Sequence, residues 1–278
     1  MSLCVTFLGT GGAVPTTQRN TSAVFLRREG DRFLFDCGEG TQRQMMRFGT
    51  GFAVSHVIHV PSGTQPDVER LVGATGARPD FPVRIHGVDG GDVALSADEY
   101  EVRTFETDHD ARSVGYALVE NERKGRFDRE RAEELGVPVG PKFQRLHAGE
   151  PVELGDGTVV QPDQVVGDPR PGRTVAYTGD TRPTAATVEA AAGADLLVHD
   201  ATFASDNADR ASRTAHSTAV QAAEIAARAG ARRLALVHVS SRYAGDPDPL
   251  EREAREVFDG DRAFIPDDGD EVDVPFPG

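Results

Sequence analysis

Short apolar bursts of strand length alternate along this chain with stretches of helical spacing. "CVTFLG", "SAVFLRR" and "RFLFDCG" carry the strand pattern, and Glu29-Gly30-Asp31 predicts a hairpin between the last two. "TQRQMMRFG" predicts a short helix stopped by Gly49. Further strands are expected at "SHVIHV", "PVRIHGV", "EVRTFETD" and "VGYALVE". The second half repeats the rhythm: "TVAYTGD", a helix over 184–193, "DLLVHD", a helix from Ser217 to Ala229, "RLALVHV" and a helix over 249–259. Ser217 is a plausible N-cap for the second of these helices. The alternation over 278 residues predicts one large α/β domain spanning 1–278, with no short internal repeat.

Residues 122–168 break the rhythm. The stretch "ERKGRFDRERAEELGVPVGPKFQRLHAGEPVELGDG" is dense in charge, Gly and Pro and holds both lysines of the chain. It reads either as a solvated surface excursion or as a mobile basic arm that touches a phosphate backbone.

Charge changes how such an arm is weighed. The chain has 45 acidic and 30 basic residues, a formal net charge of −15, and only Lys124 and Lys142 are lysines. Acid excess with almost no lysine fits adaptation to high salt, where the Debye length falls to about 3 Å near 1 M. A net negative charge ordinarily argues against nucleic acid, but here it reports habitat first. The two cysteines, Cys4 and Cys37, fall on expected strands and are read as buried free thiols in a reducing compartment. No apolar run reaches membrane-spanning length, and "MSLCVTFLGTGG" enters a strand without a basic leader. No membrane segment, no signal peptide and a cytoplasmic location are therefore expected.

Candidate chemistry gathers at strand ends, where α/β folds place their sites. His109, Asp180, Asp200 and His238 each follow an expected strand, and His216 precedes a helix. Each alone reads as a core histidine or a cap; together they offer the imidazole and carboxylate ligands that zinc and manganese take.

The strings "FLGTGGAVPTTQRNTSAVFL", "FLFDCGEGTQRQMMR", "HDATF", "AHSTAVQAAEIA" and "HVSSRY" resemble ribonuclease Z, the tRNA 3′-processing endonuclease of the metallo-β-lactamase superfamily. "HST" and "SSRY" set this family apart from the small-molecule hydrolases sharing its fold. The resemblance implies an αβ/βα four-layer sandwich, a zinc-dependent phosphodiesterase removing 3′ trailers from precursor tRNA, two zinc ions (manganese as a substitute) and a homodimer. By position it implies metal ligation by His109, Asp180 and His238, with Asp180 bridging. It also implies leaving-group protonation by His216, with Asp200 as its carboxylate partner. "GVPVGP" resembles the Gly-Pro motif of the family's tRNA-binding arm, which places Arg123, Lys124, Arg126, Gly140, Pro141 and Lys142 there. "GTGGAVP" is expected to be structural, and Asp36 and Glu39 to make hydrogen bonds rather than ligate.

One family feature is missing. The His-x-His-x-Asp-His loop, which supplies two ligands to each metal and activates the water, occurs nowhere in this sequence. "GFAVSHV" and "IHVPSGTQPDVERLVG" resemble its flanks, so about thirty family positions are expected to be absent between Val57 and Ile58. That removes one loop-helix unit after the first helix and fuses two half-strands. His56 and His59, three apart on a strand, point to opposite faces and do not replace the lost pair. Two protein ligands per ion falls short of the three that catalytic zinc ordinarily has. A catalytically inactive tRNA-binding or dimer-partner relative is therefore the alternative reading.

Overall fold

The computed structural model describes residues 2–51, 57–73, 83–258 and 262–277. In chain order the strands of the first half are β1 (Leu3–Gly9), β2 (Ala23–Arg28), β3 (Asp31–Phe35), β4 (Val57–Pro61), β5 (Arg84–Val88), β6 (Val93–Ser96), β7 (Tyr100–Glu106) and β8 (Val114–Glu120). Helices α1 (Thr41–Arg47) and α2 (Gln65–Gly73) lie between them. Then come α3 (Arg129–Glu134), α4 (Pro141–Ala148), β9 (Val152–Glu153) and β10 (Val159–Val160). The chain continues with β11 (Thr174–Tyr177), α5 (Ala185–Ala190), β12 (Leu196–Asp200), α6 (Ala208–Arg213) and α7 (Ala219–Ala229). It closes with β13 (Leu234–Val237), α8 (Asp248–Val257), β14 (Ala263–Phe264) and β15 (Glu271–Asp273).

These elements divide into two compact units, Met1–Val119 with Arg173–Pro275, and Glu120–Gly172 with Phe276–Gly278. In the larger unit, β15-β1-β2-β3 form one sheet and β14-β13-β12-β11-β8-β7-β6 another. Leu3, Val5 and Phe7 from the first sheet bury against Leu118, Leu196 and Val198 from the second. The other face of the seven-stranded sheet packs Leu197, Leu234 and Leu236 under Ala222, Ile225 and Ala226 of α7. Leu8 and Phe25 turn from the first sheet toward Met45 of α1. Period-two alternation on strands buried on both faces thus produces the αβ/βα four-layer sandwich.

Strands β11, β12, β13 and β14 run parallel, with β8 antiparallel to β11. The C-terminal ends of three parallel strands therefore point to one rim. The Gly-rich turn after β1 reaches that rim because its glycines admit other backbone: a Cβ on Gly9 would lie 1.8 Å from the carbonyl oxygen of Thr21. Asp268 anchors this turn, accepting from Thr10 N at 3.0 Å, Asn20 N at 2.6 Å and Gln44 Nε2 at 2.9 Å.

Strand β4 starts at Val57, carries on through Ile58 and, among the described residues, pairs only with β5, in parallel, setting Val57 against Arg84 and Ile58 against Ile85. His59 faces His86 across this pair, rings stacked at 5.6 Å. His56 lies outside the described residues.

Two expectations are corrected. Cys37 is exposed and follows the end of β3, while Cys4 is buried, its thiol pushed up to about 11 by burial and by the acidic Glu271 and Asp273 nearby. The cap of α7 is Thr218, whose hydroxyl accepts from Gln221 N while the Gln221 side chain accepts from Thr218 N. Ser217 instead gives its hydroxyl to the carbonyl of Thr181.

The smaller unit has its own core of Ala132, Val137, Leu146, Val152, Val160 and Val165. Gly140 and Pro141 start α4, with Gly140 at φ 144° and Pro141 in the first turn. Among the described residues no helix is long and apolar enough to cross a membrane.

Candidate active site

Asp180, Asp200 and His238 stand at or just past the ends of β11, β12 and β13, and His216 enters from the turn before α7. Among the described residues, three of the four non-glycine residues with positive φ are here: Asp36 at 58°, Ala215 at 59° and His238 at 62°. Such backbone is costly and is held where surrounding contacts over-determine it.

Asp200 is the hub. It is fully buried, and four donors converge on its carboxylate. Oδ1 accepts from Thr202 N at 2.9 Å and Thr202 Oγ1 at 2.7 Å; Oδ2 accepts from Thr181 N at 3.1 Å and His216 Nδ1 at 2.7 Å. Because the single hydroxyl proton of Thr202 goes to Asp200, its Oγ1 can only accept from His238 Nδ1, 2.9 Å away. His109 Nδ1 likewise donates to the carbonyl of Ala215 at 3.0 Å. Each of these three imidazoles commits Nδ1 to the protein and keeps Nε2 for the site.

The side chains meet as follows. His238 Nε2 lies 3.2 Å from Asp180 Oδ1. The His216 ring stacks on that of His238 with centroids 4.8 Å apart, and the His109 ring meets it at a tilt with centroids 5.3 Å apart. Ligand atoms of Asp180, His216 and His238 all fall within 4.8 Å of one another; His109 stands beside this set rather than in it. His199 stays out of it: fully buried, it donates Nδ1–H to the carbonyl of Asp200, and burial holds it below its ordinary pKa.

Electrostatics bind the pair at the centre. Burial would lower His238, but the hydrogen bond and charge of Asp180, backed by Asp200 and Asp36, push it up to about 9. Burial would raise Asp180, yet His238, His216 and His109 hold it below the usual carboxylate range. Asp36 is an exposed residue whose carboxyl end is packed in, with Oδ2 accepting from Tyr177 Oη at 2.6 Å. Desolvation, opposed by that hydrogen bond and reinforced by Asp180, leaves Asp36 raised. It makes a hydrogen bond, as the sequence led us to expect.

The donor chemistry fits one divalent ion: a carboxylate and imidazole Nε2 atoms, each imidazole braced through its other nitrogen. Two ions would need more donors than the described residues bring together. Thr202 and Thr181 were not singled out by sequence; the Asp-x-Thr spacing in "HDATF" was the available signal for Thr202.

In the smaller unit, Arg123 lays its guanidinium over Phe276 at 3.6 Å, and Lys142 Nζ donates to the carbonyl of Glu153 at 2.6 Å. Lys124 and Arg126 are exposed. Arg123 and Lys142 are thus partly spent on structure.

Comparison with known proteins places these features in a family. Residues 144–239 match the beta-lactamase superfamily domain. The chain is similar to ribonuclease Z of Natronomonas pharaonis, 67% identical over 307 aligned positions that cover 100% of this chain and 99% of the relative. It is 58% identical to ribonuclease Z of Haloferax volcanii, covering 99% and 96%. Its fold is similar to human tRNase Z, short form, with a TM-score of 0.66 at 22% identity, covering 98% and 100%. It is also similar to the metallo-beta-lactamase fold protein YhfI from Bacillus subtilis, with a TM-score of 0.64 at 18% identity, covering 98% and 100%. An alignment of 307 positions on a chain of 278 residues leaves at least 29 positions of the Natronomonas relative without a counterpart here.

Proposed function

Since this chain belongs to the ribonuclease Z family, we propose that it binds precursor tRNA and hydrolyses the phosphodiester at the 3′ trailer, slowly. The observation that carries the reading is the gathering of Asp180, His216 and His238 at the rim of a chain with this ancestry. The missing positions fall, in this reading, between Val57 and Ile58, and take with them the ligands for a second ion and the carboxylate that orients the water.

Asp180 and His238, with His109 or His216 as third ligand, would hold a divalent ion, zinc or manganese, whose chemistry when bound would be the activation of water at neutral pH. The rest falls to the protein. Asp200 fixes His216 with Nε2 facing the site, so that this one atom is free either to protonate the leaving oxygen or to ligate the ion. Thr202 fixes His238 through Nδ1. Lys124 and Arg126 provide exposed charge for the tRNA backbone in an otherwise acidic chain. A second copy of the chain completes the assembly, one arm presenting tRNA to the other copy's site.

The test uses 3′-extended tRNA in molar potassium chloride with zinc or manganese supplied. We expect binding that weakens in a Lys124→Ala/Arg126→Ala variant with a flatter salt dependence, and cleavage far slower than by the Natronomonas relative. Cleavage at the relative's rate, abolished by His238→Ala, would overturn the slow-enzyme reading; absence of tRNA binding would overturn the function.

A further inference from the structure

Only one set of three or more metal-ligating side chains among the described residues has all its ligand atoms within 4.8 Å: Asp180, His216 and His238. Bonds of about 2.0–2.2 Å around a tetrahedral ion set neighbouring donors about 3.3 Å apart. The Asp180–His238 pair already stands at 3.2 Å. His216 needs only to close on that pair, its ring lying parallel to that of His238 within 24°.

We infer that this chain holds a single divalent cation, ligated by Asp180 Oδ1, His216 Nε2 and His238 Nε2, with His109 outside the first coordination shell. The inference rests on reading the site as a metal centre and decides which histidine completes it.

One observation supports it beyond proximity. The bracing around the set is that of ligands: one buried carboxylate, Asp200, holds His216 directly and His238 through Thr202, so both Nε2 atoms are aimed by the same group. Two imidazoles and a carboxylate on one side of an ion leave open positions for water or a phosphate oxygen, as in other mononuclear hydrolytic sites. His109 is braced as well, by the carbonyl of Ala215, so what leaves it out is distance. It touches the set through its ring contact with His216 but is not among the side chains whose ligand atoms lie within 4.8 Å of one another.

The arrangement has a chemical cost. Nε2 of His216 cannot bind a metal and deliver a proton from the same atom. A chain that recruits His216 as a ligand loses its leaving-group acid while the ion is bound, so hydrolysis would be slow with metal and RNA binding retained.

Cobalt(II) titration of the metal-stripped full chain in molar salt, followed by visible absorption and by metal analysis after dialysis, tests this. We expect one cobalt per chain. His216→Asn should weaken binding at least about 100-fold, whereas His109→Asn should change it less than about 3-fold. Two ions per chain, no binding, or the reverse order of the two variants overturns the inference. Far-UV circular dichroism of each variant separates a lost ligand from a lost fold; a collapsed His216→Asn is replaced by His216→Gln, judged by the same thresholds. Binding of tRNA is measured alongside: a chain that binds tRNA but takes up no cobalt sinks this inference and spares the function, while one that takes up one cobalt but binds no tRNA does the opposite.

Discussion

Asp200 Oδ2 accepts the Nδ1 proton of His216 at 2.7 Å, with no solvent reaching the carboxylate. Three further donors share that carboxylate. Asp200→Ala leaves all of them facing a cavity, so we expect a loss on the order of 3 kcal/mol or more in urea unfolding. Asp200→Asn keeps the shape but presents an NH₂ to at least one donor. Nitrogen-15 spectra of the histidines should then show His216 or His238 changing tautomer, and unchanged spectra would remove Asp200 from the orienting role.

The raised pKa of His238 predicts a pH dependence in metal-free protein. An ordinary histidine titrates near 6.5, and this one near 9. Its folded-state proton therefore contributes stability fully below about pH 6.5, and the contribution is lost as pH rises through about 9. The shift corresponds to about 3 kcal/mol. Unfolding at fixed salt between pH 6 and 10 should show the decline, and Asp180→Asn should flatten it.

Gly125 tests the smaller unit. A Cβ there would lie 1.8 Å from the carbonyl oxygen of Gly167, a backbone contact with no flexible end to yield. Gly125→Ala should raise amide exchange across residues 120–172, with α7 protected as before. Weaker tRNA binding should accompany it.

Grafting a His-x-His-x-Asp-His loop and its helix between Val57 and Ile58 should raise metal content from one to two per chain and speed cleavage. Since the insertion point lies between the first two residues of β4, both paired with β5, the graft must free the start of that strand. Metal analysis and a cleavage time course on the same preparation decide whether ligands alone were lacking.

The sequence makes the long elements legible because burial on both faces writes itself as β-rich apolar runs, as in "DLLVHD" and "RLALVHV". Strands β6, β14 and β15 are not: all are two to four residues long, and β14 and β15 are fixed by partners distant in sequence. The core of the smaller unit escapes notice because Val137, Leu146, Val152, Val160 and Val165 are scattered among charges with no single period. At the site, strand-end position flags Asp180, Asp200 and His238. Whether His109 or His216 stands nearer the centre is set by ring stacking, which no spacing encodes. Thr202 is silent because threonine before a turn is ordinary until its hydroxyl proton is traced.

Strand β1 pairs with β15, joining Cys4 to Asp273, and its following turn presses Gly12 to within 3.3 Å, as a Cβ would measure it, of the His238 ring. Residues around Cys4 thus wait for residues around Asp273, which are made much later. The half-site made by Asp180 and Asp200 can form while synthesis continues, but the wall behind His238 closes only after residue 273 is free. Contacts of such separation fold slowly and leave apolar strand faces uncovered meanwhile. For this chain, time spent unsatisfied during synthesis is the exposure that its dense surface carboxylates have to keep soluble.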